Sequence, residues 1–248
     1  LTKLSEDEMQ LLRGDEISMI FQEPMTALTP VLTVGTQMVD VLTRHRKLTR
    51  RQAKGVATEM LSKVGIPVPM KRIDEYPHEM SGGMRQRVMI AMALSYEPKL
   101  LIADEPTTAL DVTTQSQVLE QIVKLQDEFH MSVILITHDL GVVAETCQRA
   151  LVMYCGEVIE RADIQSLFER PQHPYSRGLL DSIPKLREEK LAELPIMPGR
   201  VPDLLHLPPG CRFADRWARA SDECRLGRPQ TDVNVMSGND VACFHPLD

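Results

Sequence analysis

Nowhere in the 248 residues is there a G-x-x-x-x-G-K-[ST] run, so this stretch of chain lacks the loop that most often cradles the β- and γ-phosphates of a bound nucleotide. A basic excess is missing too. Lys and Arg number 28 against 35 Asp and Glu, a net charge of −7, which argues against a nucleic-acid binder needing a positive face to release counterions. Long apolar runs are absent: Val88 to Leu94 is among the longest, far short of the roughly 20 residues that cross a bilayer. Any membrane association is therefore expected to go through a partner. Lys3, Glu6, Asp7 and Glu8 interrupt any apolar core near the start, and with no secretory pattern the cytoplasm is the expected location. There is no internal repeat and no low-complexity tract. The five cysteines are an odd number, which with that location argues against a disulfide framework; Cys147 and Cys155 are expected to be core thiols.

What is present is globular in texture, 43% hydrophobic and 25% charged, and long enough for one large or two modest domains. Leu1 to Arg13 is polar and helix-compatible, and Glu16 to Phe21 reads as a short buried strand that places Gln22 at its end. Residues 23 to 80 carry five prolines around two helical patterns, the clearer with Ala53, Ala57, Met60, Leu61 and Val64 at helical spacing. From Lys99 strands and helices alternate. Leu100 to Ala103 reads as a buried strand, Val118, Ile122, Leu125 and Phe129 mark one face of a helix, and Ser132 to Thr137 is the next strand. Such alternation implies an α/β parallel sheet whose ligands gather at the strands' carboxyl ends, where Asp104, Glu105 and His138 fall. Leu151 to Glu160 reads as a hairpin turning at Gly156. A proline-rich tail from Pro171 to Pro209 follows and leads into a cysteine-containing end.

Two devices for handling phosphate occur in fixed order. Ser81, Gly82 and Gly83 precede a helical segment from Met84 to Leu94, so a hydroxyl and backbone N–H groups sit at a helix N-terminus, which attracts anions. An ordinary N-cap serine with a Gly-Gly turn is the plainer reading of that tripeptide; Met84-Arg85-Gln86-Arg87 directly after it makes the pattern specific. Farther on, Asp104 ends an apolar strand and Glu105 follows at once. An Asp there can hold Mg²⁺ while its neighbour orients or deprotonates an attacking water. A solvated Asp-Glu at a strand exit is common, but Pro106-Thr107-Thr108-Ala109-Leu110-Asp111 extends the pair into a long, specific string.

In this combination and order the motifs resemble the ATPase subunit of an ABC transporter, and the resemblance covers nearly the whole chain. It implies a P-loop NTPase-like parallel sheet with a helical subdomain, binding ATP and Mg²⁺. It assigns Glu105 as catalytic base, His138 as the switch histidine, Asp104 and Gln22 to Mg²⁺ and the nucleotide site, Ser81, Gly82 and Gly83 to nucleotide contacts across a dimer, and Asp111 to cofactor binding. The family often has Gln where Met84 stands. The expected organisation is a partial ATPase core over 1–25, a helical subdomain with the signature motif over 26–95, ATPase core over 96–162 and an extension over 163–248. The sequence opens on Leu1, not Met, so the phosphate-cradling loop is expected before it, and the 248 residues alone are expected to be inactive.

His173 to Leu180, Leu194 to Gly199 and Pro208 to Cys211 narrow the resemblance to the ATP-binding subunits of oligopeptide and dipeptide importers, although importers of nickel and other small solutes share this extension. Resemblance implies a second ATPase subunit in a homo- or heterodimer, two membrane-spanning permease subunits, a solute-binding protein acting indirectly, and a peripheral place on the cytoplasmic side of the membrane. The extension often carries four cysteines that hold an iron–sulfur cluster. Cys211, Cys224 and Cys243 match three of them and Trp217 takes the fourth position, whereas a [4Fe–4S] cluster wants four thiolates; a cluster and three plain or metal-binding thiols both stay open. Without the cradle, a non-catalytic subunit that completes a partner's ATP site is an alternative. A soluble ABC protein outside transport normally carries two ATPase units, too many for this length.

Overall fold

The computed structural model describes residues 1–22, 27–107, 110–183, 197–234 and 239–247. The chain packs as two compact units, 1–138 and 139–248. Of the strings singled out above, Glu23, Pro24, Thr108, Ala109 and Leu194 to Ile196 lie outside the described residues.

The first unit opens with α1 (Glu6–Leu12), started by a reciprocal cap in which Ser5 Oγ accepts the Glu8 N–H and Glu8 Oε2 accepts the Ser5 N–H. Strand β1 (Ile17–Ile20) follows. A helical region then intervenes: α2 (Val34–His45), α3 (Arg50–Lys63), the single turn α4 (Pro69–Arg72) and α5 (Gly82–Leu94). Thr49 and Gln52 cap α3 in the same reciprocal way as α1. The face of α3 expected from spacing is the one buried, with Ala53, Ala57 and Leu61 at 0% exposure against Met38, Leu42, Ile90 and Leu94 of the neighbouring helices. Buried Gln37 of α2 ties down the loop before it, donating to the carbonyls of Thr29 and Leu32 and accepting the Thr29 N–H.

Strand β2 (Leu100–Asp104) pairs in parallel with β1, and β3 (Ser132–Ile136) pairs in parallel with β2 after α6 (Val112–Phe129), giving the order β1-β2-β3. The expectation of buried strands holds for one face only. Ile20, Leu101 and Ala103 are fully buried, while Met19, Phe21, Ile134 and Ile136 are 38–54% exposed. Parallel sheets are normally covered on both faces; among the described residues, the second face has no layer over these side chains.

The second unit contains α7 (Leu140–Thr146), the hairpin β4 (Arg149–Tyr154) and β5 (Glu157–Asp163), the helices α8 (Ile164–Glu169), α9 (Pro174–Asp181) and α10 (Asp222–Leu226), and strands β6 (Asp232–Asn234) and β7 (Asn239–Val241). These strands form an antiparallel sheet ordered β4-β5-β7-β6. Tyr154 faces Glu157 across a tight turn in which Cys155 (φ 46°) and Gly156 (φ 81°) are both left-handed, the signature of a type I′ hairpin. Cys155 thus belongs to a turn, and it and Cys147 are only half-buried, a correction to their expected place in the core. Tyr154, Ile159 and Phe213 form the unit's small core. Glu160 is fully buried and accepts the N–H groups of Gln172 (2.6 Å) and His173 (3.0 Å), fixing the entry to α9.

Candidate functional site

Asp104 is the last residue of β2 and pairs with Ile136, the last of β3. The chain then turns sharply. Glu105 adopts φ 43°, a left-handed conformation that β-carbon-bearing residues seldom take, while its N–H donates to the Ile136 carbonyl at 2.9 Å. Strain of that kind persists where surrounding contacts impose it, and it gathers at working sites. The turn sends the Glu105 side chain away from the strand. Glu105 Oε1 lies 2.9 Å from Nδ1 of His138, which follows β3, and its Oε2 accepts from Gln22 Nε2, which follows β1, at 3.4 Å. A carboxylate can only accept, so the imidazole proton in this pair is on Nδ1. The carboxylate is 21% exposed and the His138 side chain 79%. Three residues that follow three adjacent parallel strands therefore meet at one end of the sheet, beside the half-buried Asp104.

A second group forms around the start of α5. Ser81 caps it, its Oγ accepting the Met84 N–H at 3.3 Å. Gly82 has open space where a β-carbon would be, and at Gly83 that atom would lie 3.0 Å from Thr114 Cγ2. Thr114 is also the partner of Asp111, which caps α6: Asp111 accepts from the Thr114 N–H at 3.0 Å and the Thr114 hydroxyl at 2.7 Å, and these bonds hold its carboxyl below the usual range. The Asp111 carboxylate is thus engaged as a helix cap. Ser81, Gly82, Gly83 and Asp111 come together at two neighbouring helix starts.

Sequence reasoning passed over the residue that joins the groups. Gln86, quoted only as part of the string after the glycines, is 1% exposed, and its amide donates to the carbonyl of Pro106, the residue after Glu105. Arg87 anchors the same helix, donating to the Val64 carbonyl at 2.8 Å and to Gln117 Oε1 at 3.0 Å. Periodicity could have found Gln86: it sits on the buried face of α5 with Met89 and Ile90, where a polar side chain requires a partner.

In the second unit, Cys211, Cys224, Cys243 and Trp217 line one small cavity with room for about one water. Burial raises the thiol pKa of Cys211 and pushes that of Cys243 up to about 11, keeping both protonated at neutral pH, when metal ligation requires thiolate. Among the described residues, no group of three or more His, Cys, Asp or Glu is placed to hold a metal ion. A cavity with room for about one water, closed off by an indole in the place of a fourth thiolate, does not fit a four-thiolate cluster. Oxygen donors suited to Mg²⁺ are present at the sheet end, in Asp104, Glu105 and Gln22. No helix among the described residues is long and apolar enough to cross a membrane.

The family model described as "ABC transporter" matches residues 2–108, and that described as "Oligopeptide/dipeptide transporter, C-terminal region" matches residues 159–224. The oligopeptide transport ATP-binding protein AppD of Bacillus subtilis is 52% identical over 244 residues, 98% of this chain and 74% of that protein. The dipeptide transport ATP-binding protein DppD of the same organism is 55% identical over 244 residues, 98% and 72% of the two chains. Among solved structures, a dimeric post-hydrolysis state of the ATP-binding cassette MJ0796, bound to ADP and Pi, superposes with a TM-score of 0.59 at 29% identity, covering 65% of this chain and 68% of that one.

Proposed function

This chain belongs to the family of ABC-transporter ATP-binding proteins, and from that premise we propose that it is the ATP-hydrolysing subunit that energises import of oligopeptides or dipeptides. The carrying observation is the convergence of Gln22, Glu105 and His138 at the sheet end. The peptide class is supported by the match of residues 159–224 to the oligopeptide/dipeptide C-terminal region and by the transport named for the relatives.

In this reading Glu105 is the general base, with His138 and Gln22 holding its two oxygens so that the carboxylate keeps one orientation. Asp104, a residue earlier on the strand, presents the second carboxylate and with Gln22 serves Mg²⁺. Bound Mg-ATP supplies the phosphoryl group that water attacks. Nδ1–H of His138 is directed at Glu105, so a phosphate contact from this residue would use Nε2, which donates when the ring is a cation. Ser81, Gly82 and Gly83 face the nucleotide of a second ATPase subunit, and Asp111 holds the neighbouring helix start in register. Gln86 ties the α5 helix to the loop after Glu105, so closure of the dimer at the glycines is felt at the base. The assembly includes two permease subunits, with a solute-binding protein acting indirectly, and it places this subunit peripherally on the cytoplasmic side of the membrane.

In the assembled transporter, Glu105→Gln keeps ATP bound but lowers turnover by about 10²–10⁴-fold, because an amide cannot take the proton from water. Turnover within about twofold of the parent sinks the base assignment. The helix start at Ser81, Gly82 and Gly83 also fits one second reading, a non-catalytic subunit that only completes a partner's site. That reading gains if Glu105→Gln is silent while Gly83→Asp, which adds charge and bulk at the α5 start, abolishes the partner's turnover.

A further inference from the structure

The turn that follows β2 is one the chain does not hold unaided. Glu105 has φ 43° and is followed by Pro106, whose ring crowds the preceding residue and favours extended backbone there. Any relaxation of that φ rotates the Glu105 carboxylate relative to the strand that carries it. A bond on each side opposes the relaxation. Before the turn, the Glu105 N–H donates to the Ile136 carbonyl at 2.9 Å; after it, the carbonyl of buried Pro106 accepts from the side-chain amide of Gln86. A carbonyl only accepts, so the NH₂ group of Gln86 is the one directed at it.

The donor comes from a helix that is itself anchored. Gln86 is 1% exposed, with Met89 and Ile90 on the buried side of α5, and Arg87 beside it donates to the Val64 carbonyl at 2.8 Å. The other end of the same amide, Oε1, is buried with no hydrogen-bond partner among the described residues. A methionine of similar length would instead leave the Pro106 carbonyl unpaired, so either residue leaves one buried acceptor without a donor. In that balance the glutamine adds little stability. What it adds is a fixed direction for the carbonyl after Glu105.

We propose that Gln86 is a positioning residue for ATP hydrolysis, clamping the Pro106 carbonyl so that Glu105 stays in the left-handed turn that aims its carboxylate at His138 and Gln22. The inference rests on Glu105 being the general base. At 1% exposure Gln86 has no surface with which to meet nucleotide or water, so it acts through the backbone alone. Without the clamp the carboxylate is less often aligned, which slows the chemical step and leaves ATP binding as it was.

The test compares Gln86→Met with Glu105→Gln in the assembled transporter. Gln86→Met lowers kcat about tenfold or more while KM for ATP stays within about twofold, and the thermal melt is unchanged. Combined with Glu105→Gln it costs nothing further, because no base is left to align. A second readout needs no turnover: hydrogen exchange at the Glu105 amide quickens about tenfold or more in Gln86→Met, as the bond to Ile136 opens, while the Leu101 and Ala103 amides keep the parental rate. Parental kcat, KM rising in step with the fall in kcat, a lowered melt, a further loss on top of Glu105→Gln, or unchanged exchange at Glu105 each overturns the proposal. If Glu105→Gln itself keeps turnover within about twofold, the base reading fails, and the exchange at Glu105 still decides whether the clamp exists.

Discussion

Helices α2 and α3 between β1 and β2 are apolar along one stripe and the strands they interrupt are apolar almost throughout, yet it is the helices whose apolar side chains all pack into the core. In the helical region each apolar stripe finds another: Met38, Leu42, Leu61, Ile90 and Leu94 are fully buried, and the helix starts are capped by Thr33, Thr49 and Ser81. In the sheet, Ile134 and Ile136 stay about half exposed, and the strand ends carry Glu105 in a strained turn and His138 largely in solvent. The helical region is finished as a core. The sheet end is finished as a site, with its polar groups directed at one another and outward instead of into packing. Stability and chemistry are therefore expected to respond to different substitutions.

The largest stability effect should come from the closed side. Leu61→Ala removes a fully buried side chain and should cost about 2–5 kcal/mol in denaturant unfolding, whereas Ile134→Ser on the open face should stay within about 0.5 kcal/mol. Comparable losses at both positions would erase the contrast. A slightly smaller effect belongs to the second unit. Burial lowers the pKa of His173 from 6.5 to about 4, so the unfolded chain takes up the proton first as pH falls. Stability is whole above about pH 6.5 and drains away toward pH 4, by about 3 kcal/mol for this one group. Melts of the parent and of His173→Gln across that window check it: the variant starts lower and shows a flatter dependence. The smallest effect is at the helix start shared by both accounts. Asp111→Ala loses a cap to Thr114 and should lower stability by about 0.5–2 kcal/mol; Asp111→Asn, which can still accept, should recover most of it.

Much of this was legible because local rules and the fold agree. Gln22, Asp104 and His138 sit at strand ends because apolar runs stop there, and the α3 and α6 stripes follow helical spacing. Ser81 was readable as a cap from its place before two glycines. Less local features were not legible. The buried bond from Gln86 to Pro106 depends on α5 crossing the end of β2, which no window of sequence contains. The buried neutral state of His173 depends on Phe213 packing against its ring from elsewhere in the chain, 5.6 Å between ring centres. Trp217 was visible as a departure, but only packing shows it sharing with three thiols a cavity too small for a cluster. The open face of the sheet escaped prediction because a strand pattern says which side chains are apolar, not how many faces are covered.

The central claim is that Glu105 and His138, 2.9 Å apart, work as one unit at the sheet end. It is tested most directly by a double-mutant cycle on ATP turnover in the assembled transporter, with Glu105→Gln, His138→Ala and the pair. Residues acting as a unit are non-additive, so the double variant should turn over no more slowly than Glu105→Gln alone; a loss equal to the product of the two single losses would contradict the account.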